Sequence, residues 1–286
     1  MAVAFNRLWF LVLPAFAIFL FFFVIPVLAL LAIAFNPAKS GVVLFQPTLT
    51  LANFARWFST SLYYNAAITS ITVAVVVVVV TLILAYPLAY LVAKTTNPAR
   101  TSLYMILILV AMQLDLVIRM YGLMVLLGDN GLINASLLQA HLIGQPLPLM
   151  YNGFGTVVGL VQLSLPFMVL SLIGIIRVID PVFEEAARSL GGSRWATFWN
   201  VTVPLSMPGV LAGSLVVFAL AISSYVVPAL MGGWRVIVMP INIYQQISEQ
   251  GNWQFGATIA VILFAMSLSA VYVYHRWTEK RIGGLL

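Results

Sequence analysis

Six long apolar blocks constrain this chain more than any other feature. They run approximately over residues 8–35, 64–92, 103–127, 154–179, 209–230 and 257–277, and a stretch of about 20 apolar residues is what a helix needs to cross a bilayer. A membrane β-barrel would instead show segments of about 10 residues with alternating polarity. Continuous apolarity therefore selects helices, which satisfy their own backbone hydrogen bonds in lipid. Composition agrees: of 286 residues, 63% are hydrophobic and 7% charged, against roughly 25% charged in soluble domains. The expected fold is an all-α membrane protein, a single transmembrane domain over residues 1–286 with six spanning helices.

Arg7 precedes the first block and Ala32-Ile33-Ala34 has the form of a cleavage site. The block is about 28 residues long, well beyond the roughly 7–15 apolar residues of a signal peptide core, so it is expected to remain as a span. Cysteine is absent, which removes disulfides, thiolate metal sites and cysteine nucleophiles together. The two histidines, His141 and His275, are too far apart in sequence to suggest a ligand pair.

Basic residues set the expected orientation. With the amino terminus in the cytoplasm, Arg7, Lys94, Arg100, Arg177, Arg188, Arg194, Arg276, Lys280 and Arg281 fall inside, Lys39, Arg56 and Arg235 outside, and Arg119 within a span. Both termini are therefore expected on the cytoplasmic side. The net charge of +6 then reads as anchoring to anionic membrane lipid and needs no nucleic-acid partner. Trp9, Trp57, Tyr63, Tyr64, Tyr272, Tyr274 and Trp277 stand near span ends, as an interfacial aromatic belt would.

One polar interruption carries its own helix signals. In the loop over residues 180–204, Asp180 can cap a helix, Pro181 suits its first position, and Glu184 and Arg188 stand four apart as a surface pair. Gly191 or Gly192 can close it. Phe183, Ala187 and Leu190 line one stripe, and Ala186 and Ala187 allow another surface to come close. Ser193 can cap a second short helix with Trp195, Phe198 and Trp199, which Pro204 and Pro208 are expected to break. Helices this short are marginal in water, so they either lie on lipid headgroups or pack against a partner.

The residue order favours the partner. Glu185-Ala186-Ala187, Gly191, Val201 and Val203-Pro204 resemble the EAA loop of binding-protein-dependent ABC importer permeases. Tyr86-Pro87-Leu88-Ala89-Tyr90, Ile118-Arg119-Met120-Tyr121, Gly131-Leu132-Ile133-Asn134, Leu165-Pro166-Phe167-Met168, Pro204-Leu205-Ser206-Met207-Pro208-Gly209 and Phe255-Gly256-Ala257 are similar to the polyamine (spermidine/putrescine) branch of that family. Gln113, Asp115 and Gln254 depart from that branch, which bears on substrate identity.

The resemblance implies a type I importer permease fold, with a cytoplasmic coupling helix between the fourth and fifth spans that docks on an ATPase. It implies a second permease subunit, a distinct paralogue, together with two cytoplasmic ATP-binding subunits and a periplasmic substrate-binding protein. Carried over by position, Glu185, Ala186, Ala187 and Gly191 become docking residues, with Glu184 and Arg188 beside them. The chain has no Gly-rich Lys-Ser/Thr phosphate loop. No cofactor is expected on it, and ATP and Mg belong to the partner ATPase.

Polar residues within the blocks are the other candidates. A carboxylate at a helix centre costs about 2.5 to 3.5 kcal/mol on insertion scales, and Asp115 stands near the middle of the third block with Arg119 one turn on. Two readings stay open: an internal ion pair, or a translocation path lined by Gln113, Asp115, Arg119, Tyr121 and Gln162. Pro87, Pro166 and Pro228 are read chiefly as packing features. Gly153, Gly155 and Gly159, and Gly209 with Gly213, give small-residue spacings for helix contact, the second pair a candidate for facing the partner permease. Asp129, His141 and Glu249 are expected solvated in external loops, and the 231–235 segment is the first candidate there for binding-protein contact. No catalytic residue set and no metal site is apparent.

The expectation is a permease subunit that imports a polyamine or another small organic amine by alternating access. The alternatives are an ion-coupled secondary transporter and, within the importer class, an opine, amino-acid-like or organophosphonate substrate.

Overall fold

The computed structural model describes residues 13–37 and 48–282. Arg7, Trp9, Lys39 and the start of the first expected span lie outside the described residues. Among the described residues every regular element is helical: α1 (Leu13–Ala34, containing the π-turn Leu20–Val24), α2 (Ala52–Ser59), α3 (Ser61–Lys94), α4 (Pro98–Gln113), α5 (Leu116–Leu127), α6 (Leu132–Gln139), α7 (Gly153–Ile176), α8 (Pro181–Ser189), α9 (Arg194–Ser223, containing the π-turn Phe198–Thr202), α10 (Met239–Tyr244) and α11 (Trp253–Ile282). Six stretches among the described residues are long and apolar enough to cross a membrane; five are α1, α3, α7, α9 and α11, and the third in chain order is Leu116–Gln139, which covers α5 and α6 in place of the expected 103–127, while α4 is a shorter apolar helix. The 34 residues of α3 make a helix of about 51 Å, beyond the roughly 30 Å of hydrocarbon, so it tilts or projects from it. Six consecutive valines at 75–80 sit in α3. β-Branching disfavours helix in water, but in lipid an unpaired backbone is costlier still.

The chain divides into two compact units. The first comprises residues 1–67 with 239–268. Its described core holds Ala34, Trp57, Tyr63, Met239, Phe255 and Ile259. Three polar side chains stitch the end of α1: Asn53 donates to the Asn36 carbonyl at 2.8 Å, Thr258 to the Ala34 carbonyl at 3.0 Å, and Asn36 to the Ala32 carbonyl at 2.7 Å. Tyr63 meets Phe255 edge-on with ring centroids 4.9 Å apart, and the Arg56 guanidinium lies 4.4 Å from the same ring centroid. Trp57 and Tyr63 are thus core residues and not part of an interfacial belt.

The second unit comprises residues 68–238 with 269–286. Its centre is α7, buried along one side by α9. The pairing depends on small residues: a Cβ on Gly209 would stand 3.0 Å from the Ile175 side chain and 3.1 Å from the Ser171 carbonyl, and one on Gly213 would stand 2.6 Å from Met168 Sδ. Gly209 and Gly213 therefore serve contact inside the chain, not a partner permease. In lipid such close van der Waals packing replaces the hydrophobic effect as the source of helix cohesion. Gly159 accepts Val227 and Met120 in the same way.

Two boundaries differ from the sequence expectation. The third block is two helices: α4 ends at Gln113, Leu114 is extended, and Asp115 caps α5. The fifth span begins at Arg194, with no break at Pro204 or Pro208. Pro204 directly follows the π-turn Phe198–Thr202, where the backbone hydrogen-bond ladder already departs from the regular α pattern.

Candidate functional site

The loop between α7 and α9 folds as its capping residues dictate. Asp180 accepts from Val182 N at 2.9 Å, and Pro181 opens α8. At the other end Gly191 N donates to the Arg188 carbonyl at 2.9 Å and Gly192 N to the Ala187 carbonyl at 3.0 Å. The two glycines are needed for different reasons. Gly191 has φ +90° and open space around it, so conformation excludes a side chain. At Gly192 a Cβ would lie 2.7 Å from the Ala187 carbonyl oxygen, so space does. Ser193 then caps α9 through Ala196 N at 3.1 Å.

Helix α8 presents two unlike sides. Glu185, Ala186 and Arg188 are exposed, Ala187 is half-buried, and Val182, Phe183 and Leu190 add an apolar surface, Leu190 being 90% exposed. Glu184 points the other way and is only 8% exposed. Its Oε1 lies 2.8 Å from Lys94 Nζ at the end of α3 and accepts from Thr202 Oγ1 at 2.9 Å in the π-turn of α9. The expected Glu184–Arg188 surface pair does not form; Glu184 is an internal tie. Burial alone would raise its carboxyl pKa. The Lys94 and Thr202 hydrogen bonds, with the Lys94 and Arg188 charges, outweigh that and hold it below the ordinary 4.5.

Two further contacts join the same elements. Tyr86 and Ser206 hydroxyls are 2.7 Å apart; Ser206 also donates to the Val203 carbonyl at 2.9 Å, so Tyr86 is the donor of the pair. Phe198 is met edge-on by Tyr86 and Tyr90, with centroids at 5.4 and 5.5 Å. By sequence Lys94 and Thr202 have no site role, and Tyr86, Tyr90 and Ser206 only a place in the segments that carry the family resemblance, although Tyr86, Tyr90 and Lys94 repeat every four residues on α3.

The intramembrane candidates separate. Asp115 is not at a helix centre: its Oδ1 accepts from Val117 N at 2.8 Å and Ile118 N at 3.2 Å, capping α5. Among the described residues no ion pair joins it to Arg119; Lys94 with Glu184 is the pair that forms. Arg119 Nε and Gln162 Oε1 are both buried without a hydrogen-bond partner. They stand on helices that touch where Met120 meets Gly159. Gln113 and Tyr121 are exposed. Pro166 lines an apolar cavity of about 290 Å³ with Leu88, Leu107 and Leu165, which suits a packing role. Asp129, His141 and Glu249 are exposed, and Trp234 in the 231–235 segment is 81% exposed.

Comparison with known proteins fits these elements. A family model described as "Binding-protein-dependent transport system inner membrane component" matches residues 1–284. The spermidine/putrescine transport system permease protein PotB of Haemophilus influenzae is 30% identical over 257 residues, covering 90% of this chain and 89% of that protein. PotB of Escherichia coli is 34% identical over 233 residues, covering 82% and 83%. The inner membrane ABC transporter permease protein YdcU of Escherichia coli is 28% identical over 243 residues, covering 79% and 76%. Among solved structures, a bacterial ABC transporter involved in import of the acidic polysaccharide alginate superposes with TM-score 0.73 at 15% identity, covering 96% of this chain and 95% of that one, which shows the shared fold. The secondary-transporter alternative gives way to this match: the chain belongs to the inner-membrane permease family of binding-protein-dependent ABC importers.

Proposed function

We propose that the chain imports a polyamine, or another small organic amine, by alternating access driven by a separate ATPase. The observation that carries the coupling is the two-sidedness of α8: Glu185, Ala186 and Arg188 are offered outward while Glu184 fastens the helix to α3 and α9. Such a face, too small to be stable alone, suits a protein partner that presses on it. Glu185 supplies a charge for a basic side chain of that partner, Ala186 and Ala187 allow close approach, and Gly191 sets the turn. The partner is one of two cytoplasmic ATP-binding subunits, which carry ATP and Mg. A second permease, a distinct paralogue, completes the pore, and a periplasmic binding protein delivers substrate. The distribution of basic residues favours a cytoplasmic side for both termini and for α8.

Similarity to the PotB permeases supports an amine substrate. One observation favours a second reading: among the described residues Arg119 has no carboxylate within ion-pairing distance, and its Nε is buried without a partner, which suits a substrate carrying an acidic group, such as an opine, an amino-acid-like compound or an organophosphonate. Gln113, Asp115, Tyr121 and Gln162 are the other path candidates. Binding-protein-dependent uptake of labelled spermidine, putrescine, an opine and a phosphonate, measured in cells lacking their own importers, separates the readings. Uptake confined to the amines supports the first, and uptake confined to the acidic compounds replaces it with the second.

A further inference from the structure

Tyr86, Tyr90 and Lys94 stand at four-residue intervals along one side of α3, and Phe198, Thr202 and Ser206 stand at the same interval on α9. The two stripes meet at several points. Tyr86 bonds Ser206 at 2.7 Å, and Tyr86 and Tyr90 flank Phe198. At the far end Glu184 of α8 is inserted between Lys94 and Thr202, 2.8 Å from one and 2.9 Å from the other. Residues four apart lie one above another on a helix, so each stripe is a continuous edge, and Glu184 closes the seam between them.

We propose that this seam makes α8 and the adjoining ends of α3 and α9 one moving body, with Glu184 the positioning residue through which displacement of α8 reaches α3. The inference rests on α8 being the ATPase-docking helix. Along the chain α8 is joined only to α7 and α9, and the junction with α9 passes through Gly191 and Gly192, a joint whose glycines leave the backbone few side-chain restraints. Chain connection alone therefore carries a push on α8 to α7 and α9 and not to α3. The Glu184 carboxylate bypasses that joint by charge-assisted contact with α3 and by the Thr202 hydroxyl beyond it. The π-turn that carries Phe198 and Thr202 is a backbone feature frequent at functional sites.

The chain has no cysteine, so paired spin labels report the motion directly. Labels at Thr96→Cys and Ser189→Cys, both exposed positions, are placed in the complete transporter in proteoliposomes with its binding protein, and their separation is measured without nucleotide and with ATP. The expected result is one unchanged distance in both states, and a shifted or broadened distance in one of them once Glu184→Gln is added. A wild-type distance that changes between the states overturns the seam.

Transport gives the second readout. Glu184→Gln and Lys94→Met are each expected to leave ATPase co-purification as in wild type while ATP consumed per substrate imported rises severalfold. The exchanged pair, Glu184→Lys with Lys94→Glu, is expected to recover part of the lost coupling. An unchanged ratio in both single variants, or loss of co-purification equal to that of Glu185→Ala, overturns the proposal. Normal coupling in Glu185→Ala combined with Arg188→Ala would instead overturn the docking reading beneath it.

Discussion

Lys94 Nζ lies 2.8 Å from Glu184 Oε1, an ion pair between residues 90 positions apart that fastens the loop helix α8 to the end of α3. Because Glu184 is nearly buried and Lys94 only partly exposed, the pair is screened less than a surface bridge. Glu184→Ala leaves the Lys94 ammonium and the Thr202 hydroxyl without their acceptor. The expected loss is about 1–3 kcal/mol of stability, measurable as a lowered midpoint in thermal unfolding of the purified transporter.

The same carboxyl sets a pH dependence. Its folded-state pKa is depressed below the ordinary 4.5, so its contribution to stability is complete above that value and is lost as pH falls through the lower folded value. Thermal midpoints of wild type and Glu184→Gln should differ by a constant amount from pH 7 to about 5, then converge below about 4.5. A gap that persists undiminished to the lowest pH at which the protein stays folded contradicts the assignment.

Gly191→Ala places a Cβ at φ +90°, a conformation that costs a side-chain-bearing residue about 1–2 kcal/mol. Gly191→Asn should be milder, since asparagine tolerates positive φ better. Expected uptake therefore orders as wild type, then Asn, then Ala. Gly192→Ala should be as damaging for the separate reason that its Cβ meets the Ala187 carbonyl at 2.7 Å.

Asp115 caps α5 with one oxygen, and asparagine caps as well as aspartate. Asp115→Asn should leave thermal stability within a few tenths of a kcal/mol, whereas Asp115→Ala should lose about 0.5–2 kcal/mol. Any effect of Asp115→Asn on the KM for a cationic substrate then reports the charge and not the cap.

Gly209→Leu drives a branched side chain into Ile175 and the Ser171 carbonyl. A backbone oxygen cannot step aside as a flexible side chain can. The variant should fail to accumulate as a folded membrane protein, while Gly153→Ala, at a position with nothing within 4 Å, should accumulate normally. Protease resistance in membranes checks both.

The spans were legible because lipid imposes length and apolarity together, and the starts of α8 and α9 because Asp180 and Pro181 for the one and Ser193 for the other act locally. The break at Leu114 and Asp115 was hidden: the apolar residues on both sides carry the pattern straight through, and only the capping geometry of Asp115 ends one helix and starts another. Neighbouring Glu184 and Glu185 point apart on any helix, but which of them turns inward depends on Lys94 and Thr202, which reach the site by tertiary folding. Nor does periodicity mark Phe198 to Thr202 as a π-turn, so Pro204 read as a break when the helix in fact runs on.

The most direct test of the account is substrate uptake into proteoliposomes containing this chain, its partner permease, the ATP-binding subunits and the loaded binding protein, with ATP and Mg or a non-hydrolysable analogue on the ATPase side. Uptake that requires hydrolysis, and is uncoupled when Glu185, Ala186 and Arg188 are replaced together, is the predicted result. Uptake that proceeds without ATP along an ion gradient, or that ignores those replacements, would contradict the docking of α8 on an ATPase.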